Sequence, residues 1–519
     1  MKTIVHNLQN FWKSNIGKPI VAKIIFISLG ITSTVWFLFR VIPKPSRATY
    51  PCMQASAPLM SGFVIYLLTL TGSMAAYRKA RLSFINAKYL YGSIFLLITL
   101  AGSLAFFVQN PENLFAINSP EWVIKANEPI GIARGINPGS VVWVHNPKVA
   151  KWDGTNGFWW DDANTSQEET DKMMDKTIAT ITGEKNLTKA WKALFVYFNR
   201  SKKGKSIDYQ KDQKIAIKIN ENNNSSQANS NEINASPQVT LALLRTMIRD
   251  AHIPQKKITV FDASRFITDN IFDKCHKEFP DVIFVDNVGG NGRVKSTYVD
   301  NAIPYSVDNG KLATGLATCA VEADYLINVA LLKGHVGQGV TLCGKNYYGV
   351  TSINNDWHKN AHDNFNQDRQ GMPKYMTFVD FLGHKDLGEK TMLFLMDGLY
   401  GAKLVNGIPT PKWQMEPFNN KWPCSLFASQ DGIAIDAVGL DFLRSEWPDM
   451  LDIKFSDQYL IEAAQADNPP SKTVYDPEKD GTRCASLGIM EHWNNAKEKK
   501  YSKNLGKNNG IELIQKTID

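Results

Sequence analysis

The sequence predicts an α/β fold: a mostly parallel, Rossmann-like sheet with flanking helices, preceded by three transmembrane helices. Three observations carry that reading. Between residues 214 and 285, short β-branched runs alternate with stretches of helical spacing, the pattern of crossovers in a parallel sheet. An apolar run from Tyr325 to Leu332 ends in glycines and cations, and an open α/β sheet places its ligands at such strand ends. Three apolar segments lie in the first 111 residues, at roughly 20–42, 57–77 and 89–108. Each nears the about 20 apolar residues that a spanning helix needs.

Charge divides the chain in the same place. Of the net +8, residues 1–111 hold eleven Lys or Arg and no Asp or Glu, so +8 less +11 leaves −3 for residues 112–519. A slightly acidic remainder argues against nucleic acid as a partner, because phosphate backbones select basic surfaces. The lipid bilayer is the partner expected of the basic part, with other membrane proteins docking on its helices. Lys2, Lys13, Lys18, Arg78, Lys79, Arg81 and Lys88 fall on one side of the three spans, and Arg40, Lys44 and Arg47 on the other. The positive-inside rule then puts the N-terminus inside and the large domain outside the cytoplasm, in a multi-pass protein of the cytoplasmic membrane. The expected organisation is a membrane module (1–111), a Trp/Gly-rich lead-in of a strand, loops and helices (112–200), and an α/β domain (201–519).

In the lead-in, Ser140–His145 reads as a strand. The Trp-rich segment 152–162 reads either as a lip carrying Asp153 or Asp161 or as a rigid packed loop. Helical spacing follows at 168–182 and 187–199. The strand at 214–219 ends at Lys218 and Asn220, and Ser236-Pro237 opens a helix with Ser at N-cap and Pro at N1. A second strand ends at Asp262, and a helix and third strand follow to residue 285. Later strands end at Asp397 and before Asp431, which also suits a helix N-cap. If all the strands are parallel, Asn220, Asp262, Lys333, His335, Asp397 and Asp431 converge on one edge.

The stretch from Lys333 to Gly349 concentrates the chemistry. Lys333, His335 and Lys345 are assigned the catalytic roles: the two lysines hold an anion, and the imidazole moves a proton. Gly337 and Gly339 let the backbone approach the ligand, and Thr341 and Asn346 offer hydrogen bonds. Gly339 to Asn346 fits the nucleotide-loop pattern G-x-x-x-x-G-K, but Asn346 stands where a Ser or Thr would hold magnesium. The expected ligand is therefore a small anionic molecule. Farther on, His358 and His362 lie four apart, a spacing that puts both imidazoles on one helical face able to hold a divalent metal. The six cysteines include no C-x-x-C, so there is no iron–sulfur motif.

Lys333-Gly334-His335, Thr341 and Lys345-Asn346-Tyr347-Tyr348-Gly349 together resemble the family called domain of unknown function 362. The likeness extends from Pro129–Pro138 through IKIN (217–220) to SQDGIAIDAVG (429–439). Some relatives carry a ferredoxin-like cluster motif that this chain lacks. The resemblance implies the fold, and two functions stay open. One is an enzyme acting on an anionic small molecule, with or without a metal; the other is a non-enzymatic ligand-binding or scaffold subunit of a membrane complex.

Overall fold

In the computed structural model the chain divides into two compact units, Met1–Glu121 and Trp122–Asp519. Residues 125–222, 230–335, 339–352, 374–404, 407–448 and 456–518 are described, with short stretches between 31 and 97.

The expected three transmembrane helices are corrected here. Among the described residues, no helix is long and apolar enough to cross a membrane. The helical run at 74–83 shows why: it continues past Tyr77 into Arg78, Lys79 and Arg81. At about 1.5 Å per residue it also covers only about half of a bilayer's hydrocarbon core. Much of 20–42, 57–77 and 89–108 lies outside the described residues. The multi-pass localisation rested on those spans and is corrected with them.

The second unit is an α/β domain. Strand β1 (Ser140–His145) leads into helices α1 (Gln167–Thr182) and α2 (Leu187–Lys203). The alternating series follows: β2 (Ile215–Lys218), α3 (Pro237–Arg245), β3 (Ile258–Asp262), α4 (Asp269–Glu278), β4 (Ile283–Asp286) and β5 (Val294–Lys295). Ser236 caps α3 as its sequence predicts, its hydroxyl accepting from the Val239 amide, with Pro237 in the first turn. Next come β6 (Tyr325–His335), β7 (Gly339–Thr341) and the one-turn helix α5 (Cys343–Asn346). The chain closes with α6 (Thr377–Gly383), β8 (Thr391–Ala402), β9 (Ser425–Ser429), α7 (Gly432–Glu446), α8 (Gln458–Ala464) and β10 (Glu512–Thr517).

These ten strands form one sheet in the order β10-β1-β9-β8-β6-β2-β3-β4-β5, with β7 paired to β6 alone. The pairings are parallel except at β9, which runs against both β8 and β1, and at β7. Strand β6 shows why its sequence is an unbroken apolar run. Tyr325, Ile327, Val329 and Leu331 enter the core beneath α1–α4, while Leu326, Ala330 and Leu332 enter the core beneath α6–α8. Both faces are covered, so both sets of alternate residues must be apolar.

The chain builds outward from β2 through β3 to β4, then crosses to the other side of β2 to lay down β6 and β8. The strand order therefore reverses between β2 and β6. Beyond the carboxyl ends of strands at such a reversal, an open α/β sheet has its natural crevice.

Candidate functional site

The carboxyl end of β2 delivers Lys218, Asn220 and Glu221, and the end of β3 delivers Asp262. Lys218 and Asp262 form an ion pair at 3.0 Å with both side chains sealed from solvent. The Lys218 ammonium also donates to the Asn346 side-chain oxygen at 2.9 Å and to the Ile219 carbonyl. Asp262 takes the Glu221 amide on one oxygen and the Ser264 amide and hydroxyl on the other. Burial pulls the Lys218 amine below its usual value, against the opposing charge of Asp262.

Asn346 ties the switch point together. Its amide nitrogen donates to Asn328 Oδ1 at 2.8 Å and to the Val329 carbonyl at 3.2 Å, both on β6. Its oxygen accepts from Lys218 and from Asn220 Nδ2. Helix α5, which carries Asn346, is anchored by Asp436 of α7, whose carboxylate takes the Cys343 and Gly344 amides at 2.8 Å each. Gly349 lies directly over the ion pair: a Cβ there would sit 2.5 Å from Lys218 Nζ and 2.7 Å from Asp262 Oδ1.

From β6 come Lys333, fully buried, and His335, nearly so. Lys333 pairs with Thr341 and His335 with Gly339 across the β6–β7 ladder, so Lys333, His335 and Thr341 share one face. Gly339 has φ +81°, a conformation that glycine adopts without strain. The Lys333 ammonium donates to Asn222 Oδ1 at 2.8 Å. Burial holds its pKa well below the usual lysine value, and the charge of Lys345 adds to this. Lys345 is half-buried, with its ammonium 5.1 Å from the centre of the Tyr348 ring. Burial, then the nearby Arg265 and Lys218, bring its pKa to about 7. Glu221 moves the other way: burial, then the charge of Asp262, push its carboxyl well above the usual range.

The expected residues are thus placed as follows. Asn220, Asp262, Lys333, His335, Gly339, Thr341, Lys345 and Asn346 gather around the ends of β2, β3 and β6. Asp397 sits in β8 level with Leu331, and its carboxylate takes the Ser236 and Leu399 amides at 3.0 Å each. It fastens the start of α3 to the sheet. Asp431 is not brought to the cluster. Strand β9 is antiparallel, and Ser429 at its end is level with Phe394, which is level with Asn328. That is five residues short of Lys333, roughly 17 Å along the strand. There Asp431 caps α7, taking the Ile433 and Ala434 amides on one oxygen and the Arg134 and Ile489 amides on the other. Gly337, His358 and His362 lie outside the described residues. Among the described residues, no three His, Cys, Asp or Glu side chains cluster to hold a metal ion.

Three residues enter the cluster that the sequence reading did not single out as ligands: Lys218, Glu221 and Arg265. The first two lie at the end of β2, where the strand-end rule that found Asn220 applies equally. Arg265 follows Asp262 by three residues, and its charge acts on Lys345 and Lys218.

Fold and cluster define a doubly wound α/β domain with a buried, cation-rich polar centre at its topological switch point. Residues 215–441 match the model of the family described as Domain of unknown function (DUF362), and over those residues the chain is similar to it. They include β2, β3, β6, α5 and the first ten residues of α7, hence every side chain of the cluster. No curated protein and no solved structure matches the chain.

Proposed function

We propose that this cluster binds a small anionic molecule and acts on it by proton transfer. One observation carries the reading: Lys218 and Lys333 are both buried at the ends of the neighbouring strands β2 and β6, with Asp262 and Glu221 buried there too, and the charge of Lys345 acts on Lys333. The charge of Lys345 acts unfavourably on Lys333, and a bound anion lowers that repulsion. In this reading both lysines hold the anion, His335 exchanges the proton, and Asn346 keeps β2 and β6 in register around the ligand.

Calorimetric titration of the full chain with inorganic phosphate and with propanoate tests it, alongside Lys345→Met. Wild type binds at least one anion, and its heat depends on the buffer's ionisation enthalpy because a proton moves. The variant loses binding with its melting temperature nearly unchanged. If no anion binds, or if Lys345→Met mainly lowers the melting temperature, the lysines are structural and the proposal fails.

A further inference from the structure

Glu221 is the most unusual group in the cluster. It is 3 % exposed, and among the described residues neither carboxyl oxygen has a hydrogen-bond partner, although its own backbone amide is held by Asp262. Two more buried acceptors nearby share this condition. Asn220 Oδ1 has no partner while its Nδ2 donates to Asn346, and Thr341 Oγ1, on the strand position facing Lys333, has none either. Buried polar atoms are nearly always satisfied, and an exception points to a group that the site is built to receive. We infer that the ligand carries hydroxyl groups as well as its negative charge, as a hydroxy acid or hydroxylated phosphate ester does, and that Glu221, Asn220 and Thr341 receive those hydroxyls. This rests on the anion-binding reading of the same cluster.

The chemistry of the three groups excludes the nearest alternatives. A metal ion or ligand ammonium also seeks oxygen donors, but beside Glu221 it would meet the positive charges of Lys218 and Lys333, which repel it. A hydroxyl is neutral and both donates and accepts, so it suits Glu221 whether the carboxyl is ionised or protonated. The resulting division of labour is simple: ammonium groups take the charge, and the orphaned oxygens read the hydroxyls.

The test compares matched probes on the full chain: glycerate against propanoate, and glycerol phosphate against propyl phosphate. Wild type favours the hydroxylated member of a pair by roughly tenfold to a hundredfold, the range for one to two charge-assisted hydrogen bonds. Glu221→Gln narrows that ratio, whatever the change of charge does to the affinity of both members. Thr341→Val, read the same way, gives a second measurement if Glu221→Gln does not fold. Equal affinity for both members of each pair overturns this inference and leaves the anion site standing. If none of the four probes binds, the anion reading itself fails, and this one falls with it.

Discussion

Lys218 and Asp262 meet at 3.0 Å across adjacent parallel strands, and neither side chain reaches solvent. A buried pair of this kind is a poor source of net stability, yet removing one partner is costly, because the other stays charged and dry. Lys218→Met should therefore destabilise the domain by about 3–5 kcal/mol in denaturant unfolding. Adding Asp262→Asn should recover part of that loss, since the amide oxygen can still accept from the Glu221 or Ser264 amide. A single variant as stable as wild type would mean that the pair does not hold the two strands together.

Gly349 tests the same pair from above. Its missing Cβ is what lets the backbone lie against Lys218 and Asp262, and its carbonyl takes the Ala263 amide at 2.8 Å. Gly349→Ala should cost about 1–3 kcal/mol as the strand end and helix-turn are forced apart. Weaker anion binding is expected alongside, since the displaced ammonium is part of the cluster.

On the proposed reading, Lys345 should make anion binding pH-dependent. With its pKa near 7, the ammonium is present below that pH and is lost above it. Affinity for phosphate or propanoate should fall as pH rises through about 7, approaching tenfold per unit well above it. In Lys345→Met that component of the profile should vanish. A profile unchanged by the substitution would remove Lys345 from the anion site.

His492 governs stability at a distance from this chemistry. Its Nδ1 lies 2.7 Å from Asp441, and its Nε2 faces Asp457 at 3.6 Å, with Arg444 beyond. Burial alone would lower its pKa, but the Asp441 charge and hydrogen bond outweigh burial and raise it to about 9. A raised folded pKa stabilises fully below the unfolded value of about 6.5, and that contribution is lost as pH rises through about 9. Unfolding free energy should fall across that window by on the order of 2 kcal/mol, and His492→Gln should flatten the fall. Melting curves from pH 6 to 10 decide it.

Asp431 separates position from chemistry. With four backbone amides on its carboxylate, Asp431→Ala should lower stability by about 1–3 kcal/mol while anion affinity stays unchanged. A selective loss of binding would return Asp431 to the site.

The amino-acid sequence by itself determined the parts that depend on local pattern. The β-branched runs, the Ser236-Pro237 helix start and the unbroken apolar run of β6 were legible because periodicity and capping are short-range effects. So was the concentration of Lys333, His335, Lys345 and Asn346 after one strand. Direction in the sheet was not legible, since a strand reads alike whichever way it runs. The antiparallel insertion of β9 therefore put Asp431 at the wrong edge of the expected site. Burial was equally hidden: the isolation of Glu221 and the depressed amine of Lys333 arise from what packs around them, and a pKa reports surroundings rather than residue type. The reversal between β2 and β6 that assembles the cluster is a property of strand order, and only the tertiary structure decides it.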